Sequence, residues 1–215
     1  MVRLLIIIQL AMMLTTSAIA LDVKTNVYGA DVEICHVDVE RELTDYEVIT
    51  YSIKSLESFR HNAFDDYKQQ SNGWGTKAKR KGERITLSEA NSRYVKTYTK
   101  HFNRNRKRDG KYLSEWQVHV MTSFTYNVGG IKKKSGLHKA IIEYGKTGDP
   151  YTVTNYMMKY NKVRENGKIK VLDGLTARRR LECLLFTATP LVKQRIGEKS
   201  KQRVKRIIAK YVTEI

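Results

Sequence analysis

Apolar residues recur at three- and four-residue steps through most of the middle of this chain, a period that predicts helices. Ile49, Ile53 and Leu56 form one stripe, which ends beside Glu57, with the chain leaving the helix around His61 and Asn62. Thr86-Leu87-Ser88-Glu89 is a capping-box pattern. Its threonine oxygen can accept from a first-turn N–H while the glutamate reaches back to the threonine. Ala90, Tyr94, Tyr98 and Phe102 follow at helical spacing, so a long helix begins there. Ser114-Glu115-Trp116-Gln117 repeats the device, and Trp116, Val120, Phe124 and Val128 continue one face. Ser135 is expected to cap a short helix over residues 137–144, Asp149-Pro150 is a cap followed by a first-turn proline, and Thr176 is expected to cap a helix through Arg178 to Phe186. Two stretches break the period. Residues 66–85, punctuated by Gly73, Gly75 and Gly82, read as short strands, and residues 162–171 read as a hairpin around Asn166-Gly167.

The first twenty residues follow a different rule. Arg3 precedes an apolar run over residues 4–14, and Ala18-Ile19-Ala20 has the small-residue form of a cleavage site. The segment reads as a secretory signal or as a retained signal anchor, and in either case the body leaves the cytoplasm for the periplasm or cell wall.

Charge divides the remainder. The whole chain, 215 residues, has 40 Lys+Arg against 22 Asp+Glu, a formal net charge of +18. A field of that size draws a protein towards polyanions without specifying fold or chemistry. Residues 21–45 are acidic, with seven acids against Lys24 and Arg41, whereas residues 188–215 are basic, with eight bases against Glu198 and Glu214. The expected organisation is thus a leader (1–20), an acidic extension (21–45), one folded domain (46–187) and a basic tail (188–215). Ile196, Val204, Ile207, Ile208 and Tyr211 give that tail an apolar side, so a basic amphipathic helix touching an anionic membrane is expected. Cys35 and Cys183 could form one disulfide outside the cytoplasm. Cys35-His36 has no second Cys/His pair at zinc spacing, so neither a metal nor a cofactor is expected.

The chemistry of interest lies in "LESFRHNAFDDYKQQSNGWGT", residues 56–76. A carboxylate at a helix end beside the core stripe, Glu57, and another on the adjoining loop or strand, Asp66, can stand on opposite sides of one groove. Glycosidic hydrolysis needs that arrangement: one carboxyl protonates the leaving oxygen while the other, ionised, activates water or shields the cation. Gly73-Trp74-Gly75 fits a groove wall, with the indole packing on a sugar face. Asp65 competes with Asp66. A one-residue slip in a strand reverses a side chain's face, so only one of the two should line the groove.

The order Glu57, Asp66, Ser71 and then "NGWGTKA" resembles the phage-type lysozymes, the endolysin muramidases. "TLSEAN" at 86–91 resembles the start of that family's inter-lobe helix, "SFTYNVGG" at 123–130 its central helix, and "GLTARRRLE" at 174–182 its C-terminal Gly-Leu-x-x-Arg-Arg helix. The resemblance implies an α+β, lysozyme-like fold: a small lobe with a β-hairpin, and a larger helical lobe joined to it by a long helix. It also implies that Glu57 is the general acid, Asp66 the water-orienting carboxylate and Ser71 a hydroxyl that helps hold that water. Ser71 departs from the family pattern, being serine rather than threonine and one residue nearer the aspartate. Arg178 matches an arginine near the catalytic glutamate and is counted, with Gly73, Trp74 and Gly75, among the substrate-binding positions; the other reading of Arg178 is a solvated helix face shared with Arg179 and Arg180. Trp116, Phe124 and Tyr126 read as core.

The function expected is that of a monomeric muramidase that hydrolyses the β-1,4 bond between N-acetylmuramic acid and N-acetylglucosamine in peptidoglycan, leading to host lysis, with no specific nucleic-acid partner. Two other readings stay open: a non-enzymatic cationic binder of membrane or nucleic acid, drawn from "NRNRKR" at 103–108, "KKK" at 132–134 and the tail, and a lytic transglycosylase.

Overall fold

The computed structural model describes residues 25–27, 30–32, 41–66, 69–165 and 167–212. The leader and Cys35 lie outside them. The chain falls into two units, residues 1–42 and 43–215. In the first, β1 (Thr25–Val27) pairs antiparallel with β2 (Ala30–Val32).

The second unit begins with α1 (Asp45–Glu57), capped by Thr44, whose side chain accepts from Glu47 N while Glu47 reaches back. A three-stranded antiparallel sheet follows, in the order β3 (Arg60–Asp66), β4 (Gln69–Gly73) and β5 (Thr76–Lys77). The remaining elements are α2 (Leu87–Asp109), α3 (Glu115–Val128), α4 (Gly136–Thr147), α5 (Pro150–Met158), the hairpin β6 (Lys162–Glu165) and β7 (Lys168–Val171), α6 (Asp173–Phe186) and α7 (Pro190–Val212). The boxes at Thr86/Glu89 and Ser114/Gln117 form as their sequence predicts, each worth about 1 kcal/mol. On α3 every residue from Trp116 to Thr125 is buried, because this helix is enclosed by its neighbours instead of presenting one face. Around it lie Ile49 and Ile53 of α1, Tyr94 of α2, Leu137 and Ile141 of α4, Met157 of α5 and Leu185 of α6, all buried. The fold is the expected α+β, lysozyme-like one.

Three local expectations change. The sheet starts at Arg60, not near Asp66: Ile85 N donates to His61 O and Ala63 N to Glu83 O, so β3 is paired along both edges. Thr176 is not a cap. The last helix before the tail starts one turn earlier, at Asp173, and the Thr176 hydroxyl donates to Leu172 O within it. The basic tail is helix α7 of the same unit, packed against α1. Gln194 closes two hydrogen bonds with the Leu43 backbone, at 2.8 and 2.7 Å, Val204 is buried, and the Tyr211 ring stands edge-on to Phe59 and His61. Its apolar side is therefore covered by protein, which removes the lipid-facing surface expected of it. Among the described residues no helix is long and apolar enough to cross a membrane.

Candidate active site

Glu57 is the last residue of α1, and its side chain is 18% exposed. The next residue, Ser58, has φ 58° and ψ 175°, a region that is almost glycine-only and costs about 1–3 kcal/mol. That turn takes the chain sharply from α1 towards β3 and leaves the carboxyl at the helix end. Gly75, between β4 and β5, faces the same group. A Cβ there would lie 2.9 Å from Glu57 Cδ and 3.3 Å from Cγ, so a side chain at position 75 would displace the carboxyl.

Arg178 of α6 holds the other side of Glu57. Its Nη1 donates to Glu57 Oε1 at 2.5 Å, its Nε to Glu182 Oε1 at 3.2 Å, and its Nη2 to the Ser123 carbonyl at 3.4 Å. Neither solvated nor open to substrate, Arg178 is 5% exposed, and its donors are directed at protein groups. Its contact with Glu57 fixes one oxygen of that carboxyl. Burial alone would lower the pKa of this guanidinium, but the charges of Glu57 and Glu182 prevail and raise it. Arg179, also buried, pairs with Glu182 at 2.9 Å and donates to Asn127 Oδ1 at 2.9 Å. Burial lowers its pKa, with the Glu182 charge opposing. Arg180 is exposed.

Asp66 ends β3 and is exposed to water. Phe64 pairs with Ser71 and Asp66 with Gln69, so Asp66 and Ser71 are diagonal neighbours on one face of the ladder. The Ser71 hydroxyl donates to Asp66 Oδ2 at 2.8 Å and accepts from Gln69 Nε2 at 3.2 Å. Ser71 has no exposed surface. It therefore braces the aspartate from behind and is closed to solvent, where the hydroxyl expected to hold a water would have to be open to it. Asp65 accepts from Gln70 Nε2 at 2.9 Å, on the opposite face.

The other expected substrate contacts also change. Trp74 is fully buried, with its ring against Phe59 at 5.2 Å and its Nε1 donating to Asn91 Oδ1 at 2.9 Å, so the indole is closed to a sugar. Its carbonyl accepts from the Tyr126 hydroxyl at 2.8 Å. Gly73 serves packing, since a Cβ there would stand 2.8 Å from Ala90 Cβ on α2.

Several residues escaped the sequence reading. Glu182 is fully buried and anchors both arginines, and its signal was available in the three- and four-residue spacing of Arg179 and Arg178 from an acid. Ser123 donates to Glu182 at 2.9 Å, so with Tyr126 and Asn127 the end of α3 meets the site framework through three polar groups. Burial, and after it the Glu57 charge, raises the Tyr126 pKa. Lys54, one turn before Glu57, donates to Asn91 Oδ1 at 2.8 Å and lies over the rings of Trp74 and Tyr94. Cys183 is buried and has no disulfide partner among the described residues, and burial pushes its thiol pKa up to about 12. Among the described residues no three His, Cys, Asp or Glu gather as a metal site.

The phage lysozyme family model matches residues 54–182, more than half of the chain and all of the Glu57, Asp66 and Arg178 framework. The chain belongs to the phage lysozyme family. Among solved structures this phage lysozyme is similar to the muramidase domain of SpmX from Asticaccaulis excentricus, at 23% identity and a TM-score of 0.58, over 69% of this chain and 100% of that one. It is likewise similar to the endolysin from Escherichia coli O157:H7 phage FAHEc1, at 24% identity and a TM-score of 0.56, over 69% of this chain and 94% of that one. At such identities the likeness shows the shared fold. No curated protein matches the chain significantly. Family membership makes it a lysozyme-type glycosidase acting on the bacterial cell wall.

Proposed function

We propose that this phage lysozyme is an exported endolysin that hydrolyses the β-1,4 bond between N-acetylmuramic acid and N-acetylglucosamine, breaking down the host wall. Glu57 is the general acid, passing its proton to the glycosidic oxygen as the C1–O bond breaks. Asp66 polarises the water whose oxygen bonds to C1 and whose proton is released. The observation that carries this reading is the setting of Glu57: Arg178 fixes Oε1, Gly75 leaves space beside Oε2, and the helix end keeps the carboxyl partly exposed to a substrate. The basic surface suits an anionic wall.

Clearing of purified cell walls by wild type and Glu57→Gln tests the proposal. General acid catalysis contributes roughly 100- to 10,000-fold, so the variant should bind walls and lose lysis by that factor. Lysis at the wild-type rate would instead favour the cationic binder.

A further inference from the structure

The β6–β7 hairpin is exposed along most of its length. At its base Leu172 N donates to Asn161 O and Asn161 Nδ2 to Thr176 Oγ1. Beyond that base, every strand residue except Val163 is exposed. A two-stranded ribbon is at best marginally stable in water by itself. Two of its residues are also poorly suited to water: Ile169 is 64% exposed and Val171 50%.

The register places these with cations. Lys162 is opposite Val171 and Arg164 opposite Ile169, so one face alternates two β-branched side chains with two bases. The other face pairs Val163 with Lys170 and Glu165 with Lys168. Four bases against the single acid Glu165 give the ribbon a positive charge on both faces. A soluble polyanion would use the charges and leave Ile169 and Val171 in water. A bilayer bearing anionic headgroups uses both, since apolar side chains enter the acyl boundary while lysine and arginine stems reach the phosphates.

We propose that the β6–β7 hairpin is a docking ribbon for an anionic lipid bilayer, with Ile169 and Val171 inserted and the surrounding bases at the headgroups. The proposal is independent of the catalytic reading, because none of these residues belongs to the Glu57 site.

The full chain carrying Ile169→Trp tests it directly. The two native tryptophans, Trp74 and Trp116, are buried, so the difference spectrum against the parent chain reports position 169 whatever else holds the protein to a vesicle. With phosphatidylglycerol vesicles the introduced tryptophan should shift to the blue and be quenched by brominated acyl chains. With phosphatidylcholine neither should occur. Adding Lys162→Gln and Lys168→Gln should raise the lipid concentration for half-maximal shift roughly 30-fold, at about fivefold per charge. A water-exposed emission maximum on phosphatidylglycerol, or an equal blue shift on a soluble phosphodiester polymer without acyl chains, would overturn the proposal.

Discussion

Arg178 joins two carboxylates from different helices: Nη1 lies 2.5 Å from Glu57 Oε1 at the end of α1, and Nε lies 3.2 Å from Glu182 Oε1 on its own helix α6. Glu182 has no exposed surface, so this link is anchored inside the protein. The orientation of the proposed acid is thus set by the packing of α1 against α3 and α6.

Removing that arginine should impair fold and chemistry together. Arg178→Gln leaves a buried carboxylate network short of one cation, which typically destabilises by about 3–5 kcal/mol. Arg178→Lys keeps the charge and loses the fork that reaches Glu57 and Glu182 at once. Thermal unfolding should therefore rank wild type above Lys above Gln. Wall lysis should fall in the lysine variant even at temperatures where it is fully folded; full lysis there would show that Glu57 is oriented without the fork.

A second expectation concerns α7, which sequence alone sets apart as a tail. Its Gln194 bonds to the Leu43 backbone, its Val204 is buried and its Tyr211 covers Phe59. Truncation after residue 189 should abolish soluble folded protein. Val204→Asp, which buries a carboxylate with no built partner, should cost more than about 3 kcal/mol in chemical denaturation. A truncated chain with an unchanged unfolding midpoint would return α7 to the status of an appendage.

Most helices were legible because their signals are local. Thr86 with Glu89 and Ser114 with Gln117 are read within four residues, and Asn166-Gly167 announces its own hairpin. Motif order made the phage lysozyme family legible, and the family model spans Glu57 and Asp66. What could not be read were properties that depend on distant partners. Trp74 looks like a groove wall until Asn91 and Phe59 enclose it, Ser71 looks like a water ligand until the strand pairing buries it, and the apolar side of α7 looks lipid-facing until α1 covers it. Sequence gives the residue and its period; which neighbour removes it from solvent is a tertiary fact. Thr44 with Glu47 is an equally local signal, at the border between the acidic stretch and the first helix.

Lys54 gives the fold a pH dependence of definite sign. Burial lowers its pKa to about 8, so between that value and the ordinary lysine range near 10.5 the unfolded chain binds the proton and the folded one has released it. Stability contributed by this group therefore rises as pH increases through that window. The buried hydroxyls of Tyr98 and Tyr126, whose pKa values burial raises, act in the opposite sense once unfolded tyrosine ionises near pH 10. Unfolding free energies measured from pH 7 to 9.5 for wild type and Lys54→Met should differ by an amount that moves in favour of wild type as pH increases. A constant difference would mean that Lys54 keeps its proton throughout.

The stereochemistry of the product tests Asp66 and its brace together. Asp66 is open to water while its Oδ2 is tied to the enclosed Ser71 hydroxyl. A carboxylate held this way has one oxygen fixed and the other available to orient a water. Attack by that water on the face opposite the leaving group turns a β-linked sugar into an α reducing end, whereas direct attack by a carboxylate gives a covalent intermediate and a β end. Proton NMR of the first product, read before mutarotation, should show the α anomer. A β product would make Asp66 the nucleophile, and an anhydro sugar would take water out of the reaction altogether and make the enzyme a transglycosylase. Asp66→Asn should be nearly inactive, since the charge that polarises the water is gone. Ser71→Ala should lower kcat by roughly 10- to 100-fold, the worth of one hydrogen bond to a charged group at about 1.5–3 kcal/mol. Its KM should stay near wild type, because the Ser71 hydroxyl is enclosed behind Asp66 and is closed to the substrate. A KM effect with kcat unchanged would place Ser71 against the sugar and overturn its assignment as the brace of Asp66.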